Sequence, residues 1–299
     1  MRDSGPILVA LDGSELSEKA LPYARALASA LGERLALMTT WEGTDNSLGE
    51  TFPSIVVDVE KQASSHYGEY LKKVASAIKG VDVDVIVRSG EPGDEILKAA
   101  DEIGARGIVL STHGRSGVGR WLYGSTASYL LHHAEVPLVV CGPNVLSKQV
   151  TGDVTLKHVM LPLDGSKLGE AAIPIAAELA QRLGAKVSLV RGVPWAVQAY
   201  PYSLPDSYVP KVDDQLEEGA KAYLRKCEEM VEGADVRAFV VRGAVADGLI
   251  EFVERQAVDL IVMTTHARSG LARMALGSTA DRMLQAPAPA LLIRPEALG

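Results

Sequence analysis

Two segments of this 299-residue chain carry residue types suited to holding a phosphorylated ligand, and each occurs twice. The first is Asp12-Gly13-Ser14, which returns as Asp164-Gly165-Ser166, 152 residues later (12 to 164). A carboxylate there can accept hydrogen bonds from sugar hydroxyls or help to hold a metal, and glycine lets a ligand approach the backbone. The same triplet also reads as an Asp-Gly turn followed by a serine helix cap, with no ligand involved. The second segment, 111–126, begins Ser111, Thr112, His113, Gly114, Arg115, Ser116 and Gly117, and ends Gly124, Ser125 and Thr126. Its copy begins Thr264, Thr265, His266, Ala267, Arg268, Ser269 and Gly270, and ends Gly277, Ser278 and Thr279. Glycines free such a loop to wrap its amides around an anion, and arginines add charge-assisted contacts. A helix that opens at Gly-Ser-Thr then offers unpaired N–H groups and a favourable dipole to phosphate. A glycine-rich loop alone is weak evidence, because turns need glycine too. A strand, then such a loop, then a helix start is more specific. His113 and His266 have no second His, Cys or carboxylate at ligand spacing, so a hydrogen-bonded loop role is favoured over a metal site. His132-His133 is not repeated, and the acidic run Asp213-Asp214 to Glu217-Glu218 reads as a solvated helix face.

The elements that position these segments repeat as well. Apolar runs at 7–11, 34–41, 81–88, 107–110 and 137–141 predict strands, with partners at 186–193, 235–242, 260–263 and 290–294. Between them lie helical patterns. Ala20, Leu21, Ala24, Leu27, Ala28 and Leu31 form one helical face, repeated as Ala172, Ile173, Ala176, Leu179, Ala180 and Leu183. Pro22 and Pro174 fall inside this helix and predict a bend. Further helices are expected near 59–78 and 212–230, and at 92–103 and 247–256. A period this long describes whole domains rather than solenoid units.

Apolar strands that alternate with helices imply a parallel sheet covered on both faces. The fold class expected is therefore α/β, with two tandem Rossmann-like, doubly wound domains over 1–145 and 153–299. Each is a five-stranded parallel sheet flanked by helices, with a linker at 142–153. In such sheets ligands bind at the carboxyl ends of the strands, which is where both repeated segments lie. The connection 194–210 carries Trp195, Tyr200, Tyr202 and Tyr208 between prolines, and reads as a packed loop rather than a lid.

Composition narrows the class of function. Hydrophobic residues make up 47% and charged residues 23%, an ordinary globular balance, while aromatics are only 5%. The net charge of −8 argues against nucleic acid or anionic membrane as partner. No run reaches about 18 apolar residues, so no membrane span is expected. Cys141 and Cys227 are not equivalent in the repeat, which suits a reducing, cytoplasmic setting better than a disulfide framework.

Asp-Gly-Ser after strand one, present twice, and Gly-X9-Gly-Ser after strand four, with alanine in place of its first glycine in the second half, resemble the universal stress protein family in its tandem two-domain form. ATP-binding members of that family carry Gly-X2-Gly-X9-Gly-(Ser/Thr). Here the pattern falls on Ser111, Gly114, Gly124 and Ser125, and on Thr264, Ala267, Gly277 and Ser278. The resemblance implies ATP as ligand, with or without Mg2+. In it the loop wraps the triphosphate, Asp12 and Asp164 reach the ribose, and the backbone near Thr40 and Gly192 meets adenine. It also implies an internal pseudo-dimer of the two halves through 137–141 and 290–294, and leaves a homodimer open. Ala267 adds a methyl where the chain passes close to phosphate, so the second site is expected to be the poorer one. The chain has no Gly-X4-Gly-Lys-(Ser/Thr) loop and no evident base for activating water. A regulatory nucleotide binder with at most slow hydrolysis is thus favoured. A scaffold that has lost one or both sites and an ATP-hydrolysing or adenylyl-transfer enzyme are the alternatives.

Overall fold

Alternating apolar strands and amphipathic helices resolve into two α/β units. A computed structural model describes residues 4–43, 53–112, 124–147, 153–199, 206–264 and 277–294. One unit comprises Met1–Cys141 with Gln149–Val154, the other Gly142–Lys148 with Thr155–Gly299.

The first unit runs β1 (Ile7–Ala10), α1 (Glu15–Glu18), α2 (Leu21–Leu31), β2 (Leu35–Trp41) and α3 (Pro53–Ala77). It continues with β3 (Val83–Ser89), α4 (Pro92–Glu102), β4 (Gly107–Ser111), α5 (Ser125–His133) and β5 (Leu138–Cys141). Its strands lie in the order β3-β2-β1-β4-β5. Every pair is parallel: Ile7 faces Leu35 on β2 and Gly107 on β4, Leu35 faces Val83, and Ile108 faces Leu138. Leu8, Leu35, Leu37, Met38 and Ile108 are fully buried, as strands covered on both faces require. Each such side chain contributes about 1.5–3 kcal/mol relative to exposure.

The second unit opens with α6 (Pro143–Ser147), β6 (His158–Pro162), α7 (Lys167–Glu170), α8 (Ile173–Leu183), β7 (Lys186–Val193) and α9 (Ala196–Ala199). After a short 3-10 turn at Asp206–Tyr208 come α10 (Val209–Glu228), β8 (Val236–Arg242), α11 (Val245–Arg255), β9 (Leu260–Thr264), α12 (Ser278–Met283) and β10 (Ala290–Ile293). The order is β8-β7-β6-β9-β10, again parallel throughout. The expected fold class, two tandem five-stranded parallel sheets with flanking helices, is what the chain forms.

Two local expectations are corrected. Pro22 and Pro174 do not bend a helix; each stands in the first turn of α2 or α8, after a break that separates it from the short α1 or α7. A first-turn residue has no intrahelical N–H partner to lose, so proline is tolerated there. The helices end where left-handed glycines terminate them, Gly32 at φ +70 and Gly184 at φ +58. Part of the expected linker is also structured. Within it α6 buries Val145, and Asn144 Nδ2 donates to the Gln285 carbonyl of the same unit.

One buried polar group makes the second unit pH-sensitive. His158 is 3% exposed. Its ring lies 3.0 Å from the Gln256 carbonyl through Nδ1 and 2.7 Å from Ser188 Oγ through Nε2. With the proton on Nδ1, the carbonyl accepts and Nε2 accepts from serine, so the neutral ring is satisfied. Burial holds its pKa below the usual value of 6.5, reinforced by Lys186 and opposed by the Gln256 carbonyl and Asp259. The unfolded chain therefore takes up this proton first as pH falls, and stability declines from about pH 6.5 downward until the depressed folded pKa is passed. The slope is at most about 1.4 kcal/mol per pH unit. Urea unfolding of the second domain across that window should show the decline, and His158→Gln should remove this part of it. An unchanged acid slope in the variant would refute the assignment.

Candidate functional site

In each unit the chain leaves the first strand into the Asp-Gly-Ser turn, and the turn is built from its own side chains. Asp12 Oδ1 accepts from Ser14 N at 2.9 Å and from Ser14 Oγ at 2.6 Å. Ser14 in turn caps α1, its Oγ accepting from Ser17 N at 3.1 Å. The second copy matches it: Asp164 Oδ1 accepts from Ser166 N and Oγ at 2.9 and 2.6 Å, and Ser166 caps α7 by accepting from Gly169 N. Gly13 and Gly165 have φ of +79 and +86, the left-handed region that disfavours side chains. Glycine is needed here by the backbone before any ligand is considered.

The other repeated segment begins at the end of β4 and resumes at α5. Thr112 is buried, and its N donates to the Cys141 carbonyl. Its carbonyl accepts from Gly124 N at 2.8 Å, so residues 112 and 124 are tied together. Gly124 is the N-cap of α5 with extended backbone and no side-chain cap bond, which leaves that terminus uncapped by any side chain. Gly277 begins α12 in the same way.

These pieces meet at the carboxyl ends of β1, β2 and β4. A cavity of about 710 Å3 there is lined by Asp12, Thr40, Ser111, Thr112, Gly124, Ser125 and Thr126. Gly13 stands in the adjoining turn. His113, Gly114, Arg115, Ser116 and Gly117 lie outside the described residues. In the second unit a cavity of about 290 Å3 brings together Asp164, Gly192, Thr264, Gly277, Ser278 and Thr279, with Gly165 in its turn. Thr265, His266, Ala267, Arg268, Ser269 and Gly270 lie outside the described residues, and with them the expectation about the Ala267 methyl.

Several lining residues were not singled out from the sequence. Val59, Ala63 and Tyr67, one turn apart on α3, form a wall of the first cavity, and Trp41, Glu42 and Gly43 extend it beyond Thr40. The i, i+4, i+8 spacing was a usable signal, since the three residues fall on one helix face. Pro92 and Ile96 of α4 close the other side. The second cavity is lined by Val245 and Leu249 of α11, the counterparts of Pro92 and Ile96, with Met263 and Met283. Among the described residues no cluster of His, Cys, Asp or Glu is placed to hold a metal. Nor is any helix among them long and apolar enough to cross a membrane.

Comparison with known proteins matches this architecture. The model of the Universal stress protein family fits residues 4–142 and again 155–294. A universal stress protein of Mycolicibacterium smegmatis is 27% identical across 97% of both chains. One from Methanocaldococcus jannaschii is 30% identical over 48% of this chain and 85% of its own. Among solved structures, a universal stress protein of Archaeoglobus fulgidus superposes with a TM-score of 0.69 at 20% identity, covering 97% of this chain and 98% of its own. That structure shares the fold.

The turn predicts its own mutational signature. Gly13→Ala should cost about 1 kcal/mol or more through its positive φ, and Ser14→Ala about 1 kcal/mol through the lost cap. Gly165→Ala should cost a similar amount through its own positive φ, with the Arg191 guanidinium, 2.3 Å from where the methyl would stand, shifting to make room. Urea midpoints of the three variants check this; a Gly13→Ala chain as stable as the parent would contradict it.

Proposed function

We propose that this chain, which belongs to the universal stress protein family, binds ATP in the first-domain cavity and acts as a nucleotide-responsive regulatory protein. The observation that carries the reading is convergence. Asp12, Thr40 and the Gly124-Ser125-Thr126 helix start come from three separate places in the sequence, yet line one cavity of about 710 Å3. Pockets for small ligands and cofactors run from roughly 300 to 1,000 Å3, so the space suits a nucleotide.

Each group has a role that its chemistry supports. The uncapped start of α5 offers N–H donors and the positive end of a helix dipole to the phosphates, and the Ser125 and Thr126 hydroxyls add donors. Asp12 already accepts two hydrogen bonds from Ser14 at Oδ1. A carboxylate offers about four acceptor positions, and a ribose hydroxyl is a donor of the kind it takes. The backbone at Thr40, the last part of β2, supplies an edge for the base. Mg2+ enters this reading only as a companion of the triphosphate, since no metal cluster stands among the described residues. Slow hydrolysis is compatible with the site; no residue in it is assigned to rapid turnover.

The test is direct binding. Nucleotide-free protein should gain thermal stability with millimolar ATP, as ligand linkage requires. Asp12→Ala should weaken the affinity by about 10- to 100-fold, the range for a lost hydrogen bond to a charged group. A clean preparation with no thermal shift and no copurifying nucleotide would sink the reading.

A further inference from the structure

We propose that the second domain's site is closed from within by α9 (Ala196–Ala199) packed on the start of α10, clamped by Arg242 and Asp213, so that each chain takes one adenine nucleotide, in the first domain. The inference rests on the preceding reading of the first cavity.

The two domains differ at the outer half of the site. In the first, Trp41, Glu42 and Gly43 continue β2 along the cavity, and α3 faces it with Val59, Ala63 and Tyr67. The equivalent positions in the second domain are Val193, Pro194 and Trp195, with Val212, Leu216 and Ala220 on α10. None of these lines the second cavity. Val193, Ala196 and Ala220 are buried instead, because α9 and α10 pack against each other. In the second domain these positions are taken up by the packing of α9 on α10.

A polar clamp fixes that packing. Arg242, at the end of β8, donates through Nη2 to Asp213 Oδ1 at 2.5 Å and through Nη1 to the Asp213 carbonyl at 2.8 Å. Asp213 Oδ1 also accepts from Ala196 N at 2.8 Å, which ties the start of α9 to the first turns of α10. The guanidinium lies 4.5 Å from the Trp195 ring centroid, so cation–π attraction holds the same segment from its other side. The ion-paired side chains are 15% and 20% exposed, where water weakens a two-pronged contact little. The first domain has Ser89 at the position of Arg242 and cannot make this contact.

A Cβ on Gly192 would come within 2.3 Å of Val245 Cγ1, so Val245 packs close beside the backbone that corresponds to Thr40. The remaining cavity, about 290 Å3, falls at the lower limit for small-ligand pockets, against about 710 Å3 in the first domain.

The experiment uses the full chain in two measurements, equilibrium dialysis with ATP and amide hydrogen exchange over residues 193–199 and 209–217 without nucleotide. Parent protein should bind one ATP, about 10- to 100-fold more weakly in Asp12→Ala and unchanged in Asp164→Ala. Arg242→Ala should accelerate exchange in both segments on the order of tenfold and raise the stoichiometry toward two. Asp213→Asn should do the same, which covers failure of the first variant to fold, and Arg242→Lys should have a smaller effect. Two nucleotides on the parent chain would overturn the proposal while leaving the first-cavity reading intact. No nucleotide at all would overturn both. Unchanged exchange in the clamp variants, or faster exchange with stoichiometry still at one, would also overturn it.

Discussion

The central position of the first strand in each sheet is the constraint on which the rest depends. β1 pairs in parallel with β2 on one side and β4 on the other, so the connections leaving β1 and β4 diverge to opposite faces. A crevice must open where they part, above the carboxyl ends of those strands. Asp12 and Thr112 reach the same cavity only because both strands hold this register. A slip of one residue would exchange the two buried faces of each strand. Leu8, Leu37 and Ile108, all fully buried, would then meet the wrong helices, and a close-packed core tolerates such a misfit poorly. Packing in the core thus sets the geometry of a site made largely of backbone and small polar groups.

Most of the fold was legible because its signals are local and occur twice. Strand runs, helix faces and the Gly-Ser-Thr helix start could each be recognised within a few residues, and the duplicate offered a check. Errors arose at boundaries. Pro22 was read as internal because the apolar spacing continues from Ala20 through Leu31, whereas the helix restarts just ahead of it. Residues 142–153 looked like a linker from Pro143, Asn144 and Gly152, yet Val145 has an apolar surface to bury and a short helix forms around it. Spacing marks Val59, Ala63 and Tyr67 as one helix face but not as a cavity wall, and the Arg242–Asp213 clamp leaves no local signal, since each depends on which distant element the side chain meets. Nothing near Arg242 in sequence announces Asp213.

The duplicate also separates what the backbone demands from what side chains can trade. Where α4 meets α5, Tyr129 donates to Asp94; where α11 meets α12, the same junction is an Arg282–Asp247 ion pair. Gly93 accompanies the tyrosine because a Cβ there would lie 2.4 Å from its ring, and the second half has Ala246 with its arginine. Chemistry changed at this junction while the helices stayed in place. On the surface such a contact is worth little in either form, so it is free to vary.

The Asp-Gly-Ser turn is the opposite case, and it limits what a repeated motif can say about function. Its hydrogen bonds have the same lengths in both halves, 2.9 and 2.6 Å to the aspartate, and both glycines have positive φ. Stability alone is a sufficient reason to retain all three residues, because the turn must deliver the chain from strand to helix whether or not a ligand binds. Asp164 can therefore persist in the second domain whether or not its smaller cavity takes a ligand. What distinguishes the halves lies beyond the motif, in which residues flank the end of the second strand and whether an arginine is there to draw the connection shut. For a duplicated binding fold, the motif identifies where a site would be; the volume left above it decides whether there is one.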